Sequence, residues 1–164
     1  MNNNNKLILR LSSVITTKNA RAKIYPLYTE FTLYFDGCSK GNPGPAGIGV
    51  VIYQNDEEYW ASCKYIGDKK TNNEAEYSAL LYGLKTALEL GIKSISVYGD
   101  SLLIINQVNK LYKIKNPNLY TYYDEVIKLT EQFTYIIFNH IYRKNNKRAD
   151  QLSNQALENN NQEH

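Results

Sequence analysis

Apolar and polar positions alternate along the chain in two different periods, and the periods divide it into strands and helices. Between Asn72 and Leu90, the apolar series Leu80, Gly83, Leu84, Ala87 and Leu88 runs three and four residues apart from Glu76. That spacing predicts an amphipathic helix with one face packed on a core, closed by Gly91. Phe31 to Asp36, Ala46 to Tyr53, Glu58 to Ile66, Ser94 to Gly99 and Thr134 to Tyr142 are short runs rich in aromatic and β-branched residues, and read as strands. Gly47 and Gly49, inside the second run, imply close backbone approach or a bulge. Further helices are expected from Leu102 to about Lys110, from Pro117 to about Gln132, and from Asn146 to about Glu158. The order β-β-β-α-β-α-α-β-α predicts an α/β fold. Three strands joined by short turns pair antiparallel, two later strands lie parallel to the first, and helices cover the resulting five-stranded mixed sheet.

Composition narrows the class. The 164 residues suit one domain, and 43% apolar residues suffice for a core. No apolar run approaches the roughly 20 residues of a membrane span, so no membrane partner is expected. Cys38 and Cys63 lack zinc-ligand spacing and a disulfide framework, and read as reduced thiols of an intracellular protein, cytoplasmic or nuclear. A net charge of +3 permits an anionic partner without requiring one. Residues 1–28 form a basic, Asn-rich extension with no acid before Glu30. They read as a flexible arm that adds attraction to phosphates, with organelle targeting left open. Residues 29–158 form the expected domain, and 159–164 a polar, frayed tail.

Candidate chemistry comes from four acids. Glu76 lies in a first helical turn at the edge of a buried stripe, where an unpaired charge costs several kcal/mol. Glu74 has an ordinary role instead, because Thr71 and Glu74 fit a capping box. Asp36 ends the first strand, Asp100 ends the fourth, and Asp150 lies in the first turn of the last helix. Each has a plain alternative: a turn residue for Asp36-Gly37, a helix cap for Asp100, and a helix-dipole acid for Asp150. In a sheet crossed by helices, strand ends and helix starts converge at one edge. The four acids together therefore predict a carboxylate cluster there. Such a cluster needs cations, and all-oxygen ligands favour Mg²⁺ or Mn²⁺ over zinc.

The blocks that carry these acids resemble type 1 ribonuclease H. They are Tyr34-Phe35-Asp36-Gly37 with Gly41-Asn42-Pro43-Gly44-Pro45-Ala46-Gly47, Thr71-Asn72-Asn73-Glu74-Ala75-Glu76-Tyr77, Asp100-Ser101, and His140-Ile141-Tyr142-Arg143 through Asn146 to Ala149-Asp150. The resemblance covers about Phe31 to Leu157. It implies a ribonuclease H-like fold and hydrolysis of the RNA strand of RNA–DNA hybrids, leaving 5′-phosphate and 3′-hydroxyl ends. It further implies two Mg²⁺ ions, with Mn²⁺ as a substitute, held by Asp36, Glu76, Asp100 and Asp150. Asp36 would bridge the ions, and Glu76 would also meet the ribose 2′-OH. His140 matches a loop histidine that assists turnover, a task Arg143 could share; a strand-end residue without a catalytic role is the alternative for His140. Asn42, Asn72 and Asn73 match hybrid-contacting positions, and Arg143, Asn146, Lys147 and Arg148, in the loop beside the site, are the further nucleic-acid-binding residues expected. Asn146 could equally be a helix cap.

Two features depart from the larger members. Leu102 stands where some carry a polar residue, and no long basic insertion precedes the third helix, as in the compact form. A monomer is expected. A catalytically silent hybrid-binding module and a same-fold nuclease for another duplex are the competing readings.

Overall fold

The protein structure, a computed structural model, describes residues 29–162. The expectations for residues 1–28 and for the last two residues of the tail lie outside them. Five strands form one sheet: β1 (Phe31–Ser39), β2 (Gly44–Gln54), β3 (Glu57–Lys70), β4 (Ser94–Gly99) and β5 (Tyr135–His140). The spatial order is β3-β2-β1-β4-β5, with β1, β2 and β3 antiparallel and β4 and β5 parallel to β1. The helices are α1 (Asn72–Glu89), α2 (Leu102–Val108), α3 (Tyr120–Thr130) and α4 (Lys147–Gln162). Short 3-10 turns at Pro117–Leu119 and Arg143–Asn145 lead into the last two. Element order and strand directions agree with the sequence pattern.

Several boundaries move, each for a physical reason. β3 runs on to Lys70, because Gly67 takes a left-handed φ of +122° and the strand resumes pairing with β2, Lys70 opposite Gly44. The segment expected as one helix from Pro117 begins as a 3-10 turn, its Asn116 side chain accepting the Asn118 N–H. The tail expected to fray after Glu158 stays helical to Gln162, since no Gly or Pro interrupts it. Only residues 109–116 separate α2 from the turn at Pro117, so no basic protrusion stands there.

The two faces of the sheet hold different helices. Leu33, Phe35, Ile48, Val50 and Ile52 are fully or almost fully buried with Tyr77, Leu80, Leu84, Val97, Ile104 and Val126, which places α1, α2 and α3 on one face. Successive residues of a strand point to opposite faces. Asp36 and its cross-strand partner Gly49 therefore face the other side, where α4 lies. A Cβ on Gly49 would sit 2.3 Å from the Ala149 carbonyl oxygen and 2.5 Å from the Ser153 nitrogen. One on Gly47 would sit 2.4 Å from the Ser153 carbonyl oxygen. Gly47 and Gly49 thus seat the α4 backbone directly on β2, as their placement in the sequence suggested.

Gly49→Ala would push α4 off this seat. It is expected to destabilise the protein by about 1–3 kcal/mol, the usual cost of overpacking, measured as a lowered midpoint in urea. An unchanged midpoint would mean that α4 does not depend on this contact.

Candidate active site

The site assembles where β1 and β4 end and α1 and α4 begin. Thr71 starts α1: its Oγ1 accepts the Glu74 N–H at 3.2 Å, while Glu74 Oε2 accepts the Thr71 N–H at 2.8 Å. This capping box fixes the first turn and leaves Glu76 on its inner side, 8% exposed. The start of α1 presses on β1, where a Cβ on Gly37 would lie 2.1 Å from the Ala75 carbonyl carbon. Asp36, just before Gly37, is 5% exposed. Asp100 follows β4. The capping role considered for it belongs instead to Ser101, whose Oγ accepts the Ile104 N–H at 3.4 Å, so the Asp100 carboxylate is not engaged in capping.

One carboxylate oxygen from each of Asp36, Glu76 and Asp100 lies within 4.8 Å of the other two. Glu76 Oε2 and Asp100 Oδ2 are buried without a hydrogen-bond partner among the described residues. The fourth acid stands apart from this group. Asp150 Oδ1 accepts Arg143 Nε at 3.1 Å and Nη2 at 2.5 Å. The expected cluster of four therefore takes the form of three acids whose oxygens lie within 4.8 Å of one another and a fourth held by a guanidinium.

The electrostatics follow from burial. Asp36 is pushed up to about 6, mainly by burial and further by the charges of Asp100 and Asp150; a hydrogen bond from Ser153 partly offsets this. Glu76 is raised well above the usual carboxylate range by burial, then by Asp36 and Asp100, against a smaller opposing effect of the Gly37 backbone and Arg143.

Around the cluster, the other sequence-predicted residues divide. His140 pairs with Gly99 at the end of β5 and is exposed, its Nε2 3.3 Å from the Asp100 carbonyl oxygen. This puts the imidazole at the rim of the site. Asn42 Oδ1 accepts the Asn72 N–H at 2.9 Å, and Asn72 Oδ1 accepts the Ser39 N–H at 2.8 Å. These bonds tie the turn after β1 to the start of α1 and leave both amide NH₂ groups to donate elsewhere. Asn73 is half-buried in the same turn of helix. Lys147 is exposed, and Arg148 forks onto Glu58 at 3.0 and 3.1 Å. Asn146 needs a correction as a surface contact. It is 1% exposed and donates to the Phe35 carbonyl oxygen at 2.9 Å, tying the start of α4 to the residue before Asp36.

Sequence reasoning missed two supports. Tyr77 donates to Gln107 Oε1 at 2.7 Å in the interior, linking α1 beside Glu76 to α2 beyond Asp100. Ser153 Oγ donates to Asp36 Oδ2. Neither carries a local signal, since Tyr and Ser are ordinary residues of amphipathic helices.

The three acids and their unpartnered buried oxygens fit a hard divalent cation, which takes oxygen ligands and removes the like-charge repulsion. A family model described as reverse transcriptase-like matches residues 34–156. The crystal structure of RNase H1 from Halobacterium salinarum superposes with a TM-score of 0.76 at 36% identity, covering 79% of this chain and 98% of that one. The chain belongs to the ribonuclease H family. Within that family, LC11-RNase H1, solved in complex with an RNA/DNA hybrid, superposes with a TM-score of 0.74 at 38% identity, covering 79% of this chain and 97% of that one. A bifunctional protein of Mycobacterium tuberculosis is 39% identical over 124 residues, 75% of this chain. The chain spans 34% of that relative's length and 63% of the length of the Halobacterium ribonuclease HI. Among the described residues of this family member, no helix is long and apolar enough to cross a membrane.

A buried acid whose pKa is raised on folding keeps its proton better in the native state. Its stability is complete below the unfolded value of 3.8 and is lost as pH rises through about 6. Asp36→Asn is therefore expected to stabilise the protein in EDTA at pH 8 by about 1–3 kcal/mol, the gain shrinking towards pH 4. Urea titrations at the two pH values check this, and a gain independent of pH would rule out charge burial as its cause.

Proposed function

We propose that this chain is an endoribonuclease that hydrolyses the RNA strand of RNA–DNA hybrids, leaving 5′-phosphate and 3′-hydroxyl ends. The observation that carries the reading is the group of Asp36, Glu76 and Asp100, with two buried carboxylate oxygens that have no hydrogen-bond partner among the described residues. A pure binding module has no use for clustered negative charge facing phosphates. The hybrid bound to LC11-RNase H1 supports the substrate.

Asp36, Glu76, Asp100 and Asp150 would hold two Mg²⁺ ions, with Mn²⁺ as a substitute, and Asp36 would be shared between them. When bound, such ions activate a water and stabilise the leaving oxygen of a phosphodiester. The protein supplies the rest. Burial keeps bulk water from screening the carboxylates. The capping box, the Tyr77–Gln107 bond and the Asn146 tie hold the elements that carry Asp36, Glu76 and Asp100. Glu76 also accepts the ribose 2′-OH, which discriminates RNA from DNA.

Arg143 neutralises Asp150 until a phosphate or a cation competes for one of them; its side chain is 75% exposed, so it is free to turn outward. His140 at the rim beside Asp100 moves protons or helps product leave. The free NH₂ groups of Asn42 and Asn72, with Asn73, donate to the minor groove of the hybrid. Lys147 and Arg148 guide phosphates, Arg148 by exchanging Glu58 for them. The reading includes an intracellular monomer.

The test is a hybrid with each strand labelled in turn, incubated with Mg²⁺ beside duplex RNA and duplex DNA. Cutting of only the RNA strand of the hybrid is expected, and EDTA should abolish it. Asp100→Asn should lower the rate by at least about 10³-fold, the scale of losing a principal charge-stabilising group. Its melting temperature and its hybrid binding should be retained. Undiminished cleavage by that variant would sink the metal assignment.

A further inference from the structure

Ser153 is fully buried at the point where α4 crosses β2. Its backbone lies against Gly47 and Gly49 of the strand: its nitrogen is 2.5 Å from where a Gly49 Cβ would be, and its carbonyl oxygen 2.4 Å from where a Gly47 Cβ would be. Gly49 is the cross-strand partner of Asp36. The missing Cβ therefore lowers α4 far enough for Ser153 Oγ to reach across to Asp36 Oδ2 on the neighbouring strand.

A serine hydroxyl carries one proton, and three groups face it: the Asp36 carboxylate, the Asp150 carbonyl oxygen and the Cys38 sulfur, a weak acceptor. The Asp150 carbonyl oxygen lies 2.9 Å from Ser153 Oγ, but the Asn154 side-chain amide already donates to that oxygen at 2.8 Å. The carboxylate of Asp36 is the stronger acceptor, because charge-assisted hydrogen bonds are shorter and stronger than neutral ones. The proton therefore belongs to Asp36. A carboxylate oxygen that accepts one hydrogen bond still has a second lone pair, so the contact orients Asp36 without consuming it as a ligand.

We infer that Ser153 is a positioning residue for the metal site: its hydroxyl sets the rotamer of Asp36 and ties it to the helix that carries Asp150. Two acids on separate elements, the β1 strand and α4, thereby share one frame. Outer groups that hydrogen-bond a ligand typically change metal affinity when removed, because the ligand must then be ordered at the moment of binding. The inference rests on the proposed metal site, and its test is arranged so that the two fail separately.

The test titrates the full chain with Mg²⁺, and separately with Mn²⁺, by calorimetry at one pH, comparing wild type, Ser153→Ala and Ser153→Cys. Alanine removes only the donor oxygen. Cysteine fills the space with a weak donor, and so separates loss of the hydrogen bond from loss of volume. Both variants are expected to bind the ion about 10–100-fold more weakly, with cleavage recovering at raised metal concentration. A purely structural role would lower the melting temperature in EDTA while leaving the metal affinity alone. Affinity within roughly twofold of wild type in both variants, below the usual effect of such groups, would overturn the inference and leave the metal site standing. Absence of binding by the wild type would overturn the metal site, and the inference with it.

Discussion

Three carboxylates brought within 4.8 Å of one another at the end of a sheet are the constraint on which the rest of this structure depends. At an effective dielectric near 20, each ionised pair at that separation repels by roughly 3–4 kcal/mol. Three such pairs rival the roughly 5–15 kcal/mol that holds a whole domain folded. The acids meet this load by keeping protons: Asp36 is pushed up to about 6, and Glu76 is raised well above the usual carboxylate range by burial. Arg143 offers a cation nearby, but it is committed to Asp150. The site is thus built for a charge that the described residues do not supply.

The fold serves that site by bringing four chain segments to one edge. The sheet order puts β1 beside β4, and their parallel pairing stops at Phe35 opposite Gly99, so Asp36 and Asp100 are the next residue on each chain segment. Gly37 lets α1 approach β1 from one face, and Gly47 with Gly49 lets α4 approach from the other. The close approaches are expensive in backbone freedom, and a glycine in a strand weakens it. They are offset by the large apolar cluster between the sheet and α1, in which Leu33, Phe35, Val50, Leu80 and Leu84 have no exposed surface. The core and the site are therefore one design: burial on the helical face fixes the strands whose ends carry the acids.

How much of this was legible depended on whether the signal was local. The Glu76 helix was, because its periodicity, its capping box and its terminal glycine all lie within one segment. Gly47 and Gly49 could be read as a close approach, but not what approached, since α4 lies about a hundred residues further on. The acids could be placed at one edge by topology. The separation of Asp150 from the other three could not, because it depends on where the Arg143 side chain turns. Asn146 looked like a loop residue because its neighbours are basic, yet its partner is the backbone of Phe35. Ser153 was invisible for the same reason: its meaning comes from the strand it touches.

The central claim is that the buried acids exist to hold a divalent cation, and the most direct measurement is the melting temperature of the wild-type chain as Mg²⁺ is added at pH 8. A ligand that binds only the native state stabilises it, by about 2.7 kcal/mol at a hundredfold excess over its dissociation constant. A saturable rise of several degrees is predicted, absent with sodium chloride of equal ionic strength and smaller near pH 5, where Asp36 keeps its proton. A melting temperature indifferent to Mg²⁺ and Mn²⁺ alike would contradict the account.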